Sequence, residues 1–295
     1  MTKFKNTPLV LLLGTGFSLG LNFPLGKLAL AAGFSAPLWA AYISLGAGLA
    51  LFGLANAFEK ETGAGELWRF AAISGVLSYV VPNLLTYTVI PQLGSGFAGL
   101  MFALSPVATA ILSLVLNVRP PNRLGLLGIA LGLVGAVVVI WAKGGSTESA
   151  VLFWLMLGLL IPCFLGVGNV YRTLAWPKGA GPILLGSMTN LAAVPFLLAI
   201  TYGMNGKIDL APFTKTPWLP LVQLVSSTLM FTMFFRLQQV GGPTYLSQIG
   251  YVAAAVGLFA GVTLLGEVYP FAVWIGAAII LAGIAMSTYS TRRPE

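Results

Sequence analysis

The chain of 295 residues contains no histidine, one cysteine and only seven acidic side chains, and just 7% of its residues are charged. Each shortage removes a class of function. Without histidine the commonest metal ligand and the usual near-neutral proton shuttle are missing, and a Ser-His nucleophile cannot be assembled. The lone Cys163 cannot form an intramolecular disulfide, and its place in an apolar run reads as a small core residue. No Gly-rich Lys loop that would cradle a phosphate is present, so neither catalysis nor a resident metal or other cofactor is expected. The 15 basic residues give a net charge of +8. They are dispersed, however, with no patch of interleaved aromatics and bases, and nucleic acid is not an expected partner.

What the chain has in place of charge is apolar length: 58% of its residues are apolar and its mean hydropathy is +0.93. A soluble domain carries roughly one-quarter charged residues and could not hide that much apolar surface. Apolar windows fall at 8–31, 36–58, 67–89, 94–117, 122–142, 150–173, 180–201, 217–238, 243–265 and 269–288. Each is close to the about 20 residues a helix needs to cross a bilayer with its backbone hydrogen bonds satisfied. The expected fold is therefore all-α and integral to the membrane, with ten transmembrane helices. The longest hydrophilic gap, near 202–216, is too short for a soluble domain, so any chemistry lies within or at the edge of the bundle. No cleavable leader is expected, because the stretch after the short basic Met1–Thr7 runs past signal-peptide length without a clear cleavage site.

Basic residues set the direction of threading. With the N-terminus inside, Lys3, Lys5, Lys60, Arg69, Arg119, Arg123, Arg172, Lys178, Arg236, Arg292 and Arg293 gather on the inner side, against Lys27, Lys143, Lys207 and Lys215 outside. Short loops are where this bias is most reliable, and both termini are expected in the cytoplasm.

The chain also repeats. A shift of 148 positions lays Gly94 on Gly242, Gly128 on Gly276 and Gly135 on Gly283, and a shift of 147 lays Asn22 on Asn169. The unit has five spans, an odd number, so the second copy must enter from the opposite side; Arg119 and Glu267 then occupy matching positions on opposite faces. Two inverted units, 1–145 and 146–295, suit a transporter whose halves exchange roles as inner and outer gates.

The stretch from Pro243 to Arg292, with Gly266-Glu267 followed by Gly276 and Gly283, resembles the paired units of the drug/metabolite transporter superfamily, as do Gly94 to Gly135 with Ser105-Pro106. Length and loop economy resemble its EamA-type bacterial exporters most. The chain departs from the pattern at Asn117-Val118-Arg119, where the family often has a small residue followed by Glu, and at Ala254, which stands opposite Pro106. The resemblance implies a secondary transporter of the bacterial inner membrane, working as a monomer among membrane lipid. It would export a small molecule, an amino acid (aromatic ones included) or a related metabolite, by alternating access through a central cavity. A selective channel or passive pore, and an exporter of cationic drugs, are the alternatives.

The same resemblance places spans one, three, four, six, eight and nine around that cavity. Their polar residues are the candidate substrate contacts. Asn22 and Asn169 either line the cavity or pack between helices. Tyr79, Asn83 and Tyr87 recur every four residues and form a polar stripe on one helical face, as do Tyr245, Gln248 and Tyr251 at intervals of three. Gln248 suits a carboxylate or an amine through its amide. Pro24, Pro82, Pro106 and Pro162 mark either packing kinks or hinges, and Tyr171, Gln238 and Gln239 read as gate or interface residues. Trp39, Trp68, Trp141, Trp154, Trp176, Trp218 and Trp274 read mostly as anchors at the membrane surface. Glu267, near an outer end, reads as a helix-end or loop stabiliser. No Asp or Glu falls mid-helix, so direct proton coupling has no evident relay and export is expected to follow the solute's own gradient.

Overall fold

The computed structural model describes residues 8–59, 67–118, 121–143 and 149–290. Lys3, Lys5, Lys60, Arg119, Arg292 and Arg293, and the junction between the two expected units, lie outside the described residues. The described residues form helices α1 (Pro8–Ala31), α2 (Ala36–Phe58), α3 (Leu67–Gly75), a π-helical turn (Val76–Val80), α4 (Val81–Leu93), α5 (Ser95–Phe102) and α6 (Ser105–Val115). They continue as α7 (Arg123–Lys143), α8 (Ser149–Leu174), α9 (Pro182–Asn205), the short α10 (Ala211–Lys215), α11 (Trp218–Ser247), α12 (Ile249–Leu265) and α13 (Phe271–Ser290). Among the described residues seven segments are long and apolar enough to cross a membrane: α1, α2, α3 through α4, α5 through α6, Leu152–Leu174 of α8, α9 and α11.

Proline and glycine place the helix ends. Pro37, Pro82, Pro106 and Pro182 stand at the first or second helical position, where the missing N–H is one that has no partner in the helix anyway. Helices α9 and α12 end on Gly206 and Gly266, both left-handed. Pro24 and Pro162 lie inside α1 and α8, which run on as single helices, whereas Pro82 follows the π-helical turn and Pro106 the turn at Ala103–Leu104. Helix α11 carries its own break at Gly242 (φ 70°, ψ −176°), a conformation reserved for glycine.

The polarity of the bundle is inside-out relative to a soluble protein. Phe17, Phe52, Leu127, Val137, Phe153, Leu221 and Phe259 are exposed on the outer surface, while Asn22, Asn169, Arg172, Gln223, Gln238 and Gln248 are buried. That distribution is the one lipid favours, since apolar side chains lose nothing by facing it and polar groups must find partners within the bundle. Helix α1 packs on α11 and α12, α8 on α4 and α6, α2 on α9, α5 on α12, and α7 on α13.

The α7–α13 contact is built from glycine. A Cβ at Gly135 would stand 2.6 Å from the Gly276 carbonyl oxygen, and one at Gly283 would stand 2.5 Å from that of Gly128. These glycines thus serve close helix approach within the chain.

Two sequence expectations are corrected. Cys163 is exposed on the apolar surface of α8, its thiol hydrogen-bonded to the Leu159 carbonyl, so it is no core residue. Trp39 is 0% exposed and packs against Phe34 and Tyr42, so it fills the interior; Trp68, Trp141, Trp218 and Trp274 are exposed.

Candidate solute site

A cavity of about 60 Å³ lies between α1, α4, α8, α11 and α12. It is far smaller than the roughly 300 Å³ or more of most small-molecule pockets, so helices must part before a solute is accommodated. A larger depression of about 480 Å³ beside Phe58, Glu59 and Arg236 is open to the surface, and its carboxylate, Glu59, is already taken by the Ile183 and Leu184 amides at the start of α9.

Six residues singled out in the sequence line the central cavity together: Asn22, Tyr79, Pro82, Asn83, Tyr87 and Asn169. Ser78 and Tyr79 of the π-helical turn reach it as well, one and two turns before the Pro82–Asn83 and Thr86–Tyr87 pairs of α4 that share the same face. Asn22 combines both of its readings. It lines the cavity, and its Oδ1 accepts from Gln223 Nε2 (2.8 Å) and Ser226 Oγ (3.4 Å) on α11. Asn169 donates to Thr109 Oγ1 at 3.2 Å.

Tyr245, Gln248 and Tyr251 are buried yet do not line this cavity. Tyr251 lies under α7, where a Cβ at Gly132 would stand 3.1 Å from its hydroxyl. Pro24, Pro106, Pro162 and Tyr171 also stand away from the lining, with Tyr171 stacked on Phe70. Gln238 is buried, accepting from Arg172 Nε at 3.3 Å and donating to Thr173 Oγ1 at 2.7 Å.

Arg172 is the residue that sequence reasoning misplaced. Counted as a basic group at a helix end, it is 1% exposed and lines the cavity. Its guanidinium donates to Ser78 Oγ, to Asn169 Oδ1 (2.5 Å) and to Gln238 Oε1, and lies 4.9 Å from the centre of the Phe234 ring. The available signal was its spacing from Asn169, since residues i and i+3 share a helix face.

The cavity's end farthest from the N-terminus is tied by Glu267, in the loop between α12 and α13. Its carboxylate accepts from Lys27 Nζ (2.5 Å), Ser95 N (3.0 Å), Ser95 Oγ (3.0 Å), Gly96 N (3.3 Å) and the Tyr269 hydroxyl. Burial pushes this carboxyl up, but the bonds from Lys27, Tyr269 and the two amides outweigh it and hold the group at about 2. Burial and the neighbouring carboxylate raise the Tyr269 hydroxyl. Glycine is needed here: a Cβ at Gly261 would stand 2.5 Å from Glu267 Oε2, and one at Gly96 2.6 Å from the Tyr269 oxygen.

Residues 6–141 match the model of the EamA-like transporter family. That stretch, a little under half of the chain, is similar to the family. Among the described residues no cluster of His, Cys, Asp or Glu suits a metal ion. No curated protein is similar to the chain in sequence. A crystal structure described only as that of a protein is similar over 95% of this chain and 96% of its own, with a TM-score of 0.68 at 19% identity. At that identity the likeness establishes a shared fold.

Proposed function

We propose that the chain is a ten-span secondary transporter of the bacterial inner membrane, with both termini in the cytoplasm. It exports amino acids, aromatic ones included, or related metabolites by alternating access between two inverted five-helix halves. The observation that carries this reading is the small central cavity, with polar and aromatic side chains in its lining, to which both halves contribute: Asn22, Tyr79 and Asn83 from the first, Asn169, Arg172, Phe231 and Phe234 from the second.

Backbone and packing support the inverted repeat. Gly94 and Gly242, matched by the shift of 148, both adopt positive φ with extended ψ (90°, 159° and 70°, −176°). Gly33 and Gly179 share positive φ in the loops that follow the first helix of each half, and α6 and α12 both end near a left-handed residue, Asn117 and Gly266. The glycine seam is isologous. Exchanging each residue for its partner under the shift turns the Gly135–Gly276 approach into the Gly283–Gly128 approach, as a two-fold axis between the halves requires. The packing of α1 on α12 and α11 is matched by that of α8 on α6 and α4. Segments α7, α12 with the end of α11, and α13 supply the remaining three spans.

The small volume of the cavity, about 60 Å³, favours a carrier over a standing pore. Purified protein in liposomes, loaded with a panel of amino acids, aromatic metabolites and cationic drugs, tests the proposal: saturable flux with counterflow is expected, and large unitary currents would overturn it. Substitution of Tyr79 or Asn83 should change affinity, selectivity or rate; unchanged transport by well-folded variants of both would remove the cavity from the pathway.

A further inference from the structure

The central cavity holds a cation with no anion. Arg172 is 1% exposed, and each of its three hydrogen-bond acceptors, Ser78 Oγ, Asn169 Oδ1 and Gln238 Oε1, is neutral. Neutral acceptors satisfy geometry but not charge, and an unpaired ion in the interior of a membrane bundle is expensive to hold. Among the described residues the one ion pair is Lys27–Glu267, which belongs to the loop beyond α12. A guanidinium has five N–H donors, so three bonds leave two for a further partner. A second orphan lies in the same lining. The Tyr79 hydroxyl is buried, with its residue 4% exposed, and has no hydrogen-bond partner.

We propose that Arg172 is the anion subsite of this cavity, receiving the carboxylate of the solute, so that the carried molecules are carboxylates with an apolar or aromatic body. This rests on the transport reading above and narrows it, since it excludes solutes whose sole charge is positive. The planar fork of arginine fits a carboxylate in two-point fashion. Phe234 backs the guanidinium from 4.9 Å. Phe23, Tyr79, Phe102 and Phe231 complete an aromatic wall, with Tyr79 and Phe231 edge to face at 4.8 Å between ring centres. A body that lies among those rings leaves its carboxylate at Arg172 and a second polar group within reach of the Tyr79 hydroxyl and the Asn83 amide. Asn169 and Gln238 then act as positioning residues that hold the guanidinium in the cavity rather than letting it extend along the helix to the surface, as a terminal arginine otherwise does.

The test is counterflow of labelled phenylalanine in proteoliposomes, with three unlabelled competitors of the same ring: 3-phenylpropionate, which lacks the amine; phenethylamine, which lacks the carboxylate; and phenylalaninamide, whose carboxylate is neutralised. Wild-type protein is expected to respond to 3-phenylpropionate and to ignore the other two. R172Q is expected to lose about 100-fold in affinity for the carboxylates, the scale of a lost charge-assisted pair, and R172K to recover part of that loss. A structural role for Arg172 would lower the rate for every solute alike and leave the ranking untouched, which overturns the proposal. So does competition by phenethylamine as strong as that by 3-phenylpropionate. If R172Q does not fold, the wild-type ranking decides alone. Saturable flux that selects amines sinks the anion subsite and leaves the transport reading standing, whereas an absence of saturable flux for every solute of the panel and the wider amino-acid set sinks both.

Discussion

Replacing Glu267 by glutamine removes one charge from a dense polar junction of the bundle. In the native chain this carboxylate joins Lys27 of α1, the start of α5 at Ser95 and Gly96, and Tyr269 before α13. Its ordinary value of 4.5 falls to about 2, a gap of about 2.5, or roughly 3.4 kcal/mol at 1.36 kcal/mol per pKa unit. Lys27 is 37% exposed, so solvent screens part of the attraction and about 2 kcal/mol is the figure to expect. The sign follows from the depressed value: the contribution is complete above the unfolded value of 4.5 and fades as pH falls through the folded value near 2. Thermal unfolding in detergent, followed from pH 7 to pH 2, reads both effects. E267Q should melt about 4 °C lower than the native protein at pH 7, and the gap should narrow below the unfolded value of 4.5 and close near pH 2. Equal melting temperatures at pH 7, or parallel pH profiles, would show that the junction carries no net stabilising charge and refute this reasoning.

The seam between α7 and α13 should respond symmetrically: G135A and G283A each press a methyl against a backbone oxygen, at 2.6 Å and 2.5 Å, and should each cost about 1–3 kcal/mol in an unfolding assay. A large difference between the two would argue against a two-fold relation there. Gly242→Ala forces a side chain into a positive-φ conformation at the break in α11 and should lower stability by about 1–2 kcal/mol, with Gly94→Ala acting alike; a neutral result at either would contradict the strain argument. Because no carboxylate lines the cavity, solute uptake should not track an imposed proton gradient at constant solute, and uptake that did so would require a relay elsewhere.

Much of the helix layout was legible because membrane spans announce themselves by length: the first two apolar windows coincide with α1 and α2 to the residue. Asn22, Tyr79, Asn83, Tyr87 and Asn169 were legible as a set because polar residues inside apolar helices have to face the interior. Which interior was harder to see. Tyr251 turns toward Gly132 rather than the cavity, and α12 is apolar on nearly every side, so no periodic contrast tells its faces apart. Trp39 and Cys163 were misread for the related reason that composition near a helix end or within an apolar run does not say whether lipid or protein lies opposite. Arg172 was hidden by its position in the last turn of α8, where a basic side chain ordinarily reaches headgroups; Asn169 on the same helix, Ser78 of the π-helical turn and Gln238, 66 positions away, hold it inward.

The unpaired guanidinium also gives the carrier an electrical character. A charge fixed in a site that opens first to one face and then to the other is, in effect, a gating charge. One elementary charge crossing the whole field exchanges about 2.3 kcal/mol per 100 mV. A monoanionic solute cancels Arg172 and makes the loaded passage electrically silent, so the empty return alone feels the membrane voltage. Net export of a monoanion such as 3-phenylpropionate should then quicken or slow with an imposed potassium diffusion potential while its one-for-one exchange stays level, and R172Q should lose that difference.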